Sequence, residues 1–76
     1  MTAALVVDCV GRPCPVPVIE LARALPGVAV GSLVEVRSDD PAAAHDIPAW
    51  CRMRGQSYEG ANRRPEGTGY LVRRVS

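Results

Sequence analysis

The chain contains no lysine and no phenylalanine, and it has a single histidine. Without lysine, Schiff-base chemistry on a side-chain amine is excluded. Its aromatic residues are Trp50, Tyr58 and Tyr70. These are too few for the stacking platforms on which single-stranded nucleic acid is usually bound, which argues against direct nucleic-acid binding. No run approaches the ~18 apolar residues of a transmembrane helix, so no membrane contact is expected. The stretch Met1-Thr2-Ala3-Ala4-Leu5 lacks the basic start of a secretory signal, and the default location is the cytoplasm. Three cysteines, Cys9, Cys14 and Cys51, are odd in number and irregular in spacing, unlike a disulfide framework. With one histidine and no CxxC pair, a zinc site is not expected. No other metal or cofactor is expected.

The 76 residues suffice for one domain, 1–76, expected to be a monomer. A chain of this size buries only about 60–65% of its unfolded surface. Its core is thin, and chemistry is expected at the surface. All nine basic residues are arginine. Residues 1–50 carry three arginines against six acids, and residues 51–76 carry six against two. The basic final third suits an acidic partner or nucleic acid, or simply a solvated surface.

Residues 4–9, rich in β-branched side chains, read as a strand. Gly11-Arg12-Pro13 reads as a turn. Pro15 suits the first position of a helix, where a missing N–H costs nothing. Val18, Ile19, Ala22 and Leu25 then recur at helical spacing up to Pro26-Gly27. Residues 32–37 read as a second strand with Glu35 and Arg37 facing water. Asp40-Pro41 and Asp46-Ile47-Pro48 both signal helix starts. Pro48 is expected to break the segment into one turn at 41–45 and a helix at 47–54, closed by Gly55. Residues 56–61 and 69–75 read as two more strands, joined by a hairpin-sized loop at 63–67. The order β-α-β-α-β-β predicts an α+β two-layer sandwich. Right-handed crossovers place both helices on one face of its four-stranded sheet.

Cys14 stands at the expected start of the first helix. There the first N–H groups lack partners, and the helix dipole adds positive potential. Such a site lowers a thiol pKa and favours the nucleophilic thiolate. Pro15 and Pro17 fix φ near −65° and stiffen the turn. The N–H groups of Val16 and Val18 are candidates to point at the sulfur. A cysteine that merely caps or packs at a helix start is the plainer alternative.

The run Asp8-Cys9-Val10-Gly11-Arg12-Pro13-Cys14-Pro15-Val16-Pro17 resembles the signature of the TusA/SirA family of sulfur carriers, whose core is a CPxP motif. The later run Asp39-Asp40-Pro41-Ala42 through Asp46-Ile47-Pro48-Ala49-Trp50-Cys51, ending in Gly55, resembles it too. The resemblance spans nearly the whole chain. It implies the fold above, with the last strand antiparallel, a mixed sheet, and a persulfide on Cys14. It further implies a sulfurtransferase-like carrier with a covalent cysteine persulfide. A donor such as a cysteine desulfurase or a rhodanese supplies the sulfur. An acceptor protein takes it in tRNA thiolation, molybdenum-cofactor supply or sulfur oxidation. The chain departs from the family pattern at Arg12-Pro13, where an apolar residue usually follows the glycine. It departs again at Gln56, where the family often has Gly-His.

Around Cys14, Asp8 is expected to brace the loop N–H groups, and Gly11 to meet a backbone need, either φ > 0 or close approach. Arg12 is the charge nearest the sulfur and, with Val16, the expected docking contact. Cys9 reads as a resolving thiol or a partly buried strand residue, and Cys51 as core. His45 reads as solvated or as orienting a partner. Two rival functions remain at this level: a thiol-based regulatory or redox-sensing module, and a nucleic-acid-binding domain using the C-terminal arginines.

Overall fold

A computed structural model describes residues 3–76. Met1 and Thr2, part of the stretch read for a targeting signal, lie outside the described residues. The elements are β1 (Leu5–Asp8), α1 (Val16–Ala24), a 3-10 turn (Leu25–Gly27), β2 (Leu33–Ser38), α2 (Ala43–Arg54), β3 (Ser57–Arg64) and β4 (Gly67–Arg73). They form the expected two-layer α+β fold. The sheet order is β1-β2-β4-β3, with β1 and β2 parallel and the other pairs antiparallel. No helix among the described residues is long and apolar enough to cross a membrane.

The core lies between sheet and helices. Val34 and Val36 of β2 and Tyr70 and Val72 of β4 meet Leu21 of α1 and Ile47, Trp50 and Cys51 of α2. Cys51 is 1% exposed, in agreement with its reading as core. Replacing Cys51 with alanine removes one buried heavy atom, at a cost of about 1 kcal/mol. Thermal unfolding of Cys51→Ala is expected roughly 4–8 °C below the wild type. An unchanged melting temperature would show that the sulfur contributes nothing to packing.

Four local expectations change. Pro48 does not divide the second helix, since α2 runs unbroken from Ala43 to Arg54. A proline there removes one backbone bond, the one that would reach Ala44. Ala44 is exposed, so water can satisfy its carbonyl. The loop at 63–67 shrinks to Pro65-Glu66 because β3 extends through Arg64 and pairs it with Gly67. Glu35, read as facing water, is 4% exposed. Arg64 clamps its carboxylate with two bonds, Nε at 2.9 Å and Nη2 at 2.8 Å, and Arg37 Nε adds a third at 3.2 Å. Finally, the basic C-terminal third is partly structural. Besides Arg64, the Arg74 guanidinium donates to the carbonyls of Pro26 and Val28, and Arg73 donates to Gly31 and pairs with Glu59. Gln56, one of the departures from the family pattern, accepts the Val75 N–H at 2.7 Å and ties the C-terminal segment to the end of α2. Gly55 closes α2 in the left-handed conformation, φ 72°.

Candidate functional site

The connection from β1 to α1 carries Cys14, and acidic side chains hold that connection by its backbone. Asp8 Oδ1 accepts the Val10 N–H at 3.1 Å. Asp39 Oδ1 accepts the Gly11 N–H at 3.0 Å. Asp40 Oδ2 accepts the Cys14 N–H at 2.9 Å, while its Oδ1 accepts the Ala42 N–H at 2.9 Å. Asp40 thus ties the start of α2 to Cys14, two residues before α1, and both bonds hold its carboxyl below the usual range. Gly11 has φ +85°, a left-handed turn that glycine adopts without strain. Asp8 and Gly11, expected to support the loop, are found bonded to its backbone and at its positive φ, respectively. Asp40 was read as a helix start, and both Asp39 and Asp40 as part of the later family-like run, but their hold on the loop before α1 was not legible.

Of the three cysteines, Cys9 and Cys51 are buried and Cys14 is partly exposed. Cys9 lies deeper than a half-buried strand residue. It is 1% exposed, just beyond β1, with its N–H on the Arg37 carbonyl at 2.8 Å.

The electrostatics of Cys14 reverse the expectation. Its pKa is pushed up to about 11, first by burial, then by a hydrogen bond to the Asp46 carboxylate and by the charges of Asp46 and Asp40. Two features of the chain set Cys14 apart from the expected helix-start thiol. The helix begins at Val16 with Pro15 as its cap, so Cys14 stands one residue further out than a cap. The Val16 N–H, a candidate to face the sulfur, bonds instead to the Pro13 carbonyl at 3.0 Å. The peptide bond between Cys14 and Pro15 is cis. Pro17 is buried beneath the first turn and anchors it, whereas Pro15 is exposed.

The surface around the sulfur has two parts. On one side, Gly11, Arg12 and Pro13 form an open depression with Asp39 and Asp40. Arg12 is exposed there. On the other side, Pro15, Val18, Asp46, Ala49, Trp50 and Met53 line a largely apolar groove of about 270 Å³ between α1 and α2. Ile19 and Met53 are exposed nearby, Met53 at 74%. Val16 is half-buried. His45 is exposed, but its Nδ1 lies 3.3 Å from Asp46 Oδ1.

Fold and site define a small α+β domain presenting one partly exposed thiol in an acid-braced loop beside an apolar groove. The family model of sulfurtransferase TusA matches residues 5–74, and the chain belongs to that family. It is 44% identical over 50 residues to a “Putative sulfur carrier protein” of Archaeoglobus fulgidus, an alignment covering 66% of this chain and 65% of that one. It is 40% identical over 48 residues to the Escherichia coli protein YedF, which bears the same description, covering 63% of this chain and 62% of that one. Both alignments therefore span less than two thirds of the relative. The fold is similar to the crystal structure of a SirA-like protein from Desulfitobacterium hafniense, with TM-score 0.74 and 23% identity over 91% of this chain and 93% of that one.

Proposed function

We propose that the protein is a sulfur carrier that receives sulfane sulfur on Cys14 from one protein and passes it to another. The observation that carries this reading is the contrast among the thiols: Cys14 reaches the surface, and Cys9 and Cys51 do not. Membership of the TusA family supports it. In the receiving step the Cys14 sulfur attacks the outer sulfur of a donor persulfide. A Cys14–S bond forms, the donor's S–S bond breaks, and the proton lost by Cys14 is recovered by the departing donor thiolate. In the delivering step an acceptor thiolate attacks the same outer sulfur and Cys14 leaves as the thiolate. Sulfur moves without net oxidation. A cysteine desulfurase or a rhodanese has the chemistry of the donor, and a second relay protein has that of the acceptor.

The site's shape suits this role better than that of a self-contained enzyme. The groove and depression are open, so selection must come from a docked protein surface. The burial of Cys9 also favours a carrier over a dithiol sensor, which needs a second thiol free to move. The test is cyanolysis. Protein incubated with a cysteine desulfurase and cysteine, then freed of donor, should convert cyanide to thiocyanate in proportion to the carrier present. A redox sensor would yield none.

Arg12 is expected to act in docking. Charges at an interface rim act mainly on association rate and are screened by salt. Arg12→Glu should slow transfer with at least one protein partner by roughly three- to tenfold at low ionic strength. Loading from thiosulfate or another small donor should hardly change. The deficit should shrink as salt is added. Equal rates for wild type and Arg12→Glu with every partner at low salt would move docking to the apolar groove.

A further inference from the structure

Arg63 and Arg64 are adjacent in sequence and differ in what they do. Both belong to β3, along which side chains alternate between the two faces of the sheet. Arg64 reaches Glu35 and is held there by two hydrogen bonds. Arg63 leaves the strand on the other face, across from Thr68 of β4. It is exposed, and it makes no ion pair or side-chain hydrogen bond among the described residues. Since β3 stays paired with β4 through Arg64, Arg63 is carried on a strand and not on a loose loop.

Arg63 lines an open polar depression together with Asp39, Asp40 and Thr68. The depression beside Arg12 is lined by the same two aspartates. The two hollows therefore meet along Asp39 and Asp40, and Asp40 Oδ2 holds the Cys14 N–H at 2.9 Å. Arg63, far from Cys14 in sequence, stands on the surface that adjoins it. Asp39 is exposed, with one carboxylate oxygen on the Gly11 N–H and no ion pair among the described residues. Opposite charges thus line one depression without pairing with each other, which leaves both open to an outside group. The result is a band of charge that runs from Arg12 across the aspartates to Arg63. The exposed Arg52 and Arg54, in the last turn of α2, line neither hollow.

We propose that Arg12 and Arg63 are the two cationic ends of one docking surface, with Asp39 between them, and that it receives a protein carrying acidic side chains on either side of a basic one. The proposal rests on the carrier reading, which requires a protein to dock beside Cys14. The alternation of sign is what selects the occupant. A nucleic acid or an anionic membrane would be drawn to the arginines and repelled by the aspartates between them, whereas a protein surface can match both signs. Such charges act mainly by steering association. The clamp on Arg64 fixes the hairpin end before docking, so less order has to be imposed on Arg63 when a partner arrives.

The test compares loading of the full chain by a cysteine desulfurase with cysteine, or by a rhodanese with thiosulfate, whichever loads the wild type faster. Inorganic polysulfide serves as a donor that needs no docking. Arg63→Glu should slow loading by the protein donor roughly three- to tenfold at low ionic strength. The deficit should shrink as salt is added. Arg63→Lys should stay near the wild type. Loading by polysulfide and the melting temperature should be unchanged in both variants, which a merely structural role for Arg63 would not allow. Arg52→Glu, an equal change of net charge away from the band, should load at nearly the wild-type rate. Equal protein-donor rates for wild type and Arg63→Glu at low salt would overturn the proposal, as would an Arg52→Glu deficit as large as that of Arg63→Glu. Binding of unfractionated tRNA by the wild type that is lost in Arg63→Glu would assign the surface to nucleic acid and overturn it too. Failure of both protein donors to load the wild type would sink the carrier reading and this surface with it, a result distinct from a wild type that loads and an Arg63→Glu that loads as fast.

Discussion

Gly69→Val is expected to lower the melting temperature of the protein by about 12–24 °C, the equivalent of about 3 kcal/mol in a domain this small. Gly69 sits in β4 opposite Arg37 of β2 and Asn62 of β3. A Cβ built there collides with the carboxylate of Glu35. That carboxylate cannot simply step aside, because Arg64 grips both of its oxygens and Arg37 one of them. The Glu35 side chain is only 5% exposed. Breaking a buried, hydrogen-bonded ion pair costs about 3–5 kcal/mol, and the partial exposure of both arginines sets the lower end. A domain of this length has only ~4–11 kcal/mol in total. The diagnostic comparison is a double-mutant cycle. Glu35→Ala alone should destabilise, but adding Gly69→Ala to it should cost less than adding Gly69→Ala to the wild type, because the obstruction is gone. Additive losses, or a Gly69→Val protein that melts with the wild type, would show that the clamp is not what requires glycine here.

That clamp also marks where sequence reasoning fell short. The alternation of Val34 and Val36 with Glu35 and Arg37 correctly reports that β2 has one apolar face. It cannot report that the opposite face carries a buried charge, because the partner, Arg64, is 29 positions away on a strand that the sequence ends too early. The hairpin was misjudged for a related reason. Arg63, Arg64, Pro65, Glu66 and Gly67 have the composition of a loop, and only the pairing of Arg64 with Gly67 across β3 and β4 brings the turn down to two residues. Pro48 was overweighted. Proline breaks a helix through a lost bond and a clash, but packing of Ile47, Trp50 and Cys51 into the core outweighs one missing bond. Elements set by local periodicity or punctuation were legible. Examples are the apolar stripe of α1 and the glycine closing α2, whereas the antiparallel last strand was expected only from the family resemblance.

The candidate site divides in the same way. Cys14 was singled out for its place at a helix start, and Asp8 and Gly11 for turn chemistry; the structure leaves Cys14 partly exposed, puts Asp8 Oδ1 on the Val10 N–H and gives Gly11 a positive φ. The sign of its electrostatics did not follow. Reasoning from the unpaired N–H groups and dipole of the helix terminus gave a lowered pKa. Burial raises it first, and the charges that add to the rise, Asp46 and Asp40, come from 32 and 26 positions further along, on the segment that starts the second helix. Both stand in the run Asp39-Asp40-Pro41 through Asp46-Ile47-Pro48, a segment noticed for helix starts. Two acidic residues in such a segment were the available signal. What they do to the thiol required the fold.

A thiol held in its protonated form and a carrier that accepts sulfur are compatible if the donor completes the site. Docking removes water from the groove, and any cation set against Asp46 or Asp40 lowers the cost of forming the thiolate. In the proposed carrier, the open depression beside Arg12 and the apolar groove lined by Val18 and Trp50 are the candidate recognition surfaces.

The second large effect concerns the sulfur itself. Cys14→Ser replaces the accessible thiol with a hydroxyl that cannot form a persulfide, and it leaves the fold with its buried Cys9 and Cys51 intact. Sulfur loading should therefore fall to background rather than decline in part. The deciding measurement is an intact mass after incubation with a cysteine desulfurase and cysteine, or with a rhodanese and thiosulfate, followed by peptide mapping. The wild type should gain one sulfur atom on the peptide containing Cys14, reversibly on treatment with reductant, and Cys14→Ser should gain none. Retention of the reductant-labile sulfur in Cys14→Ser, or its appearance on Cys9 or Cys51 in the wild type, would contradict the assignment.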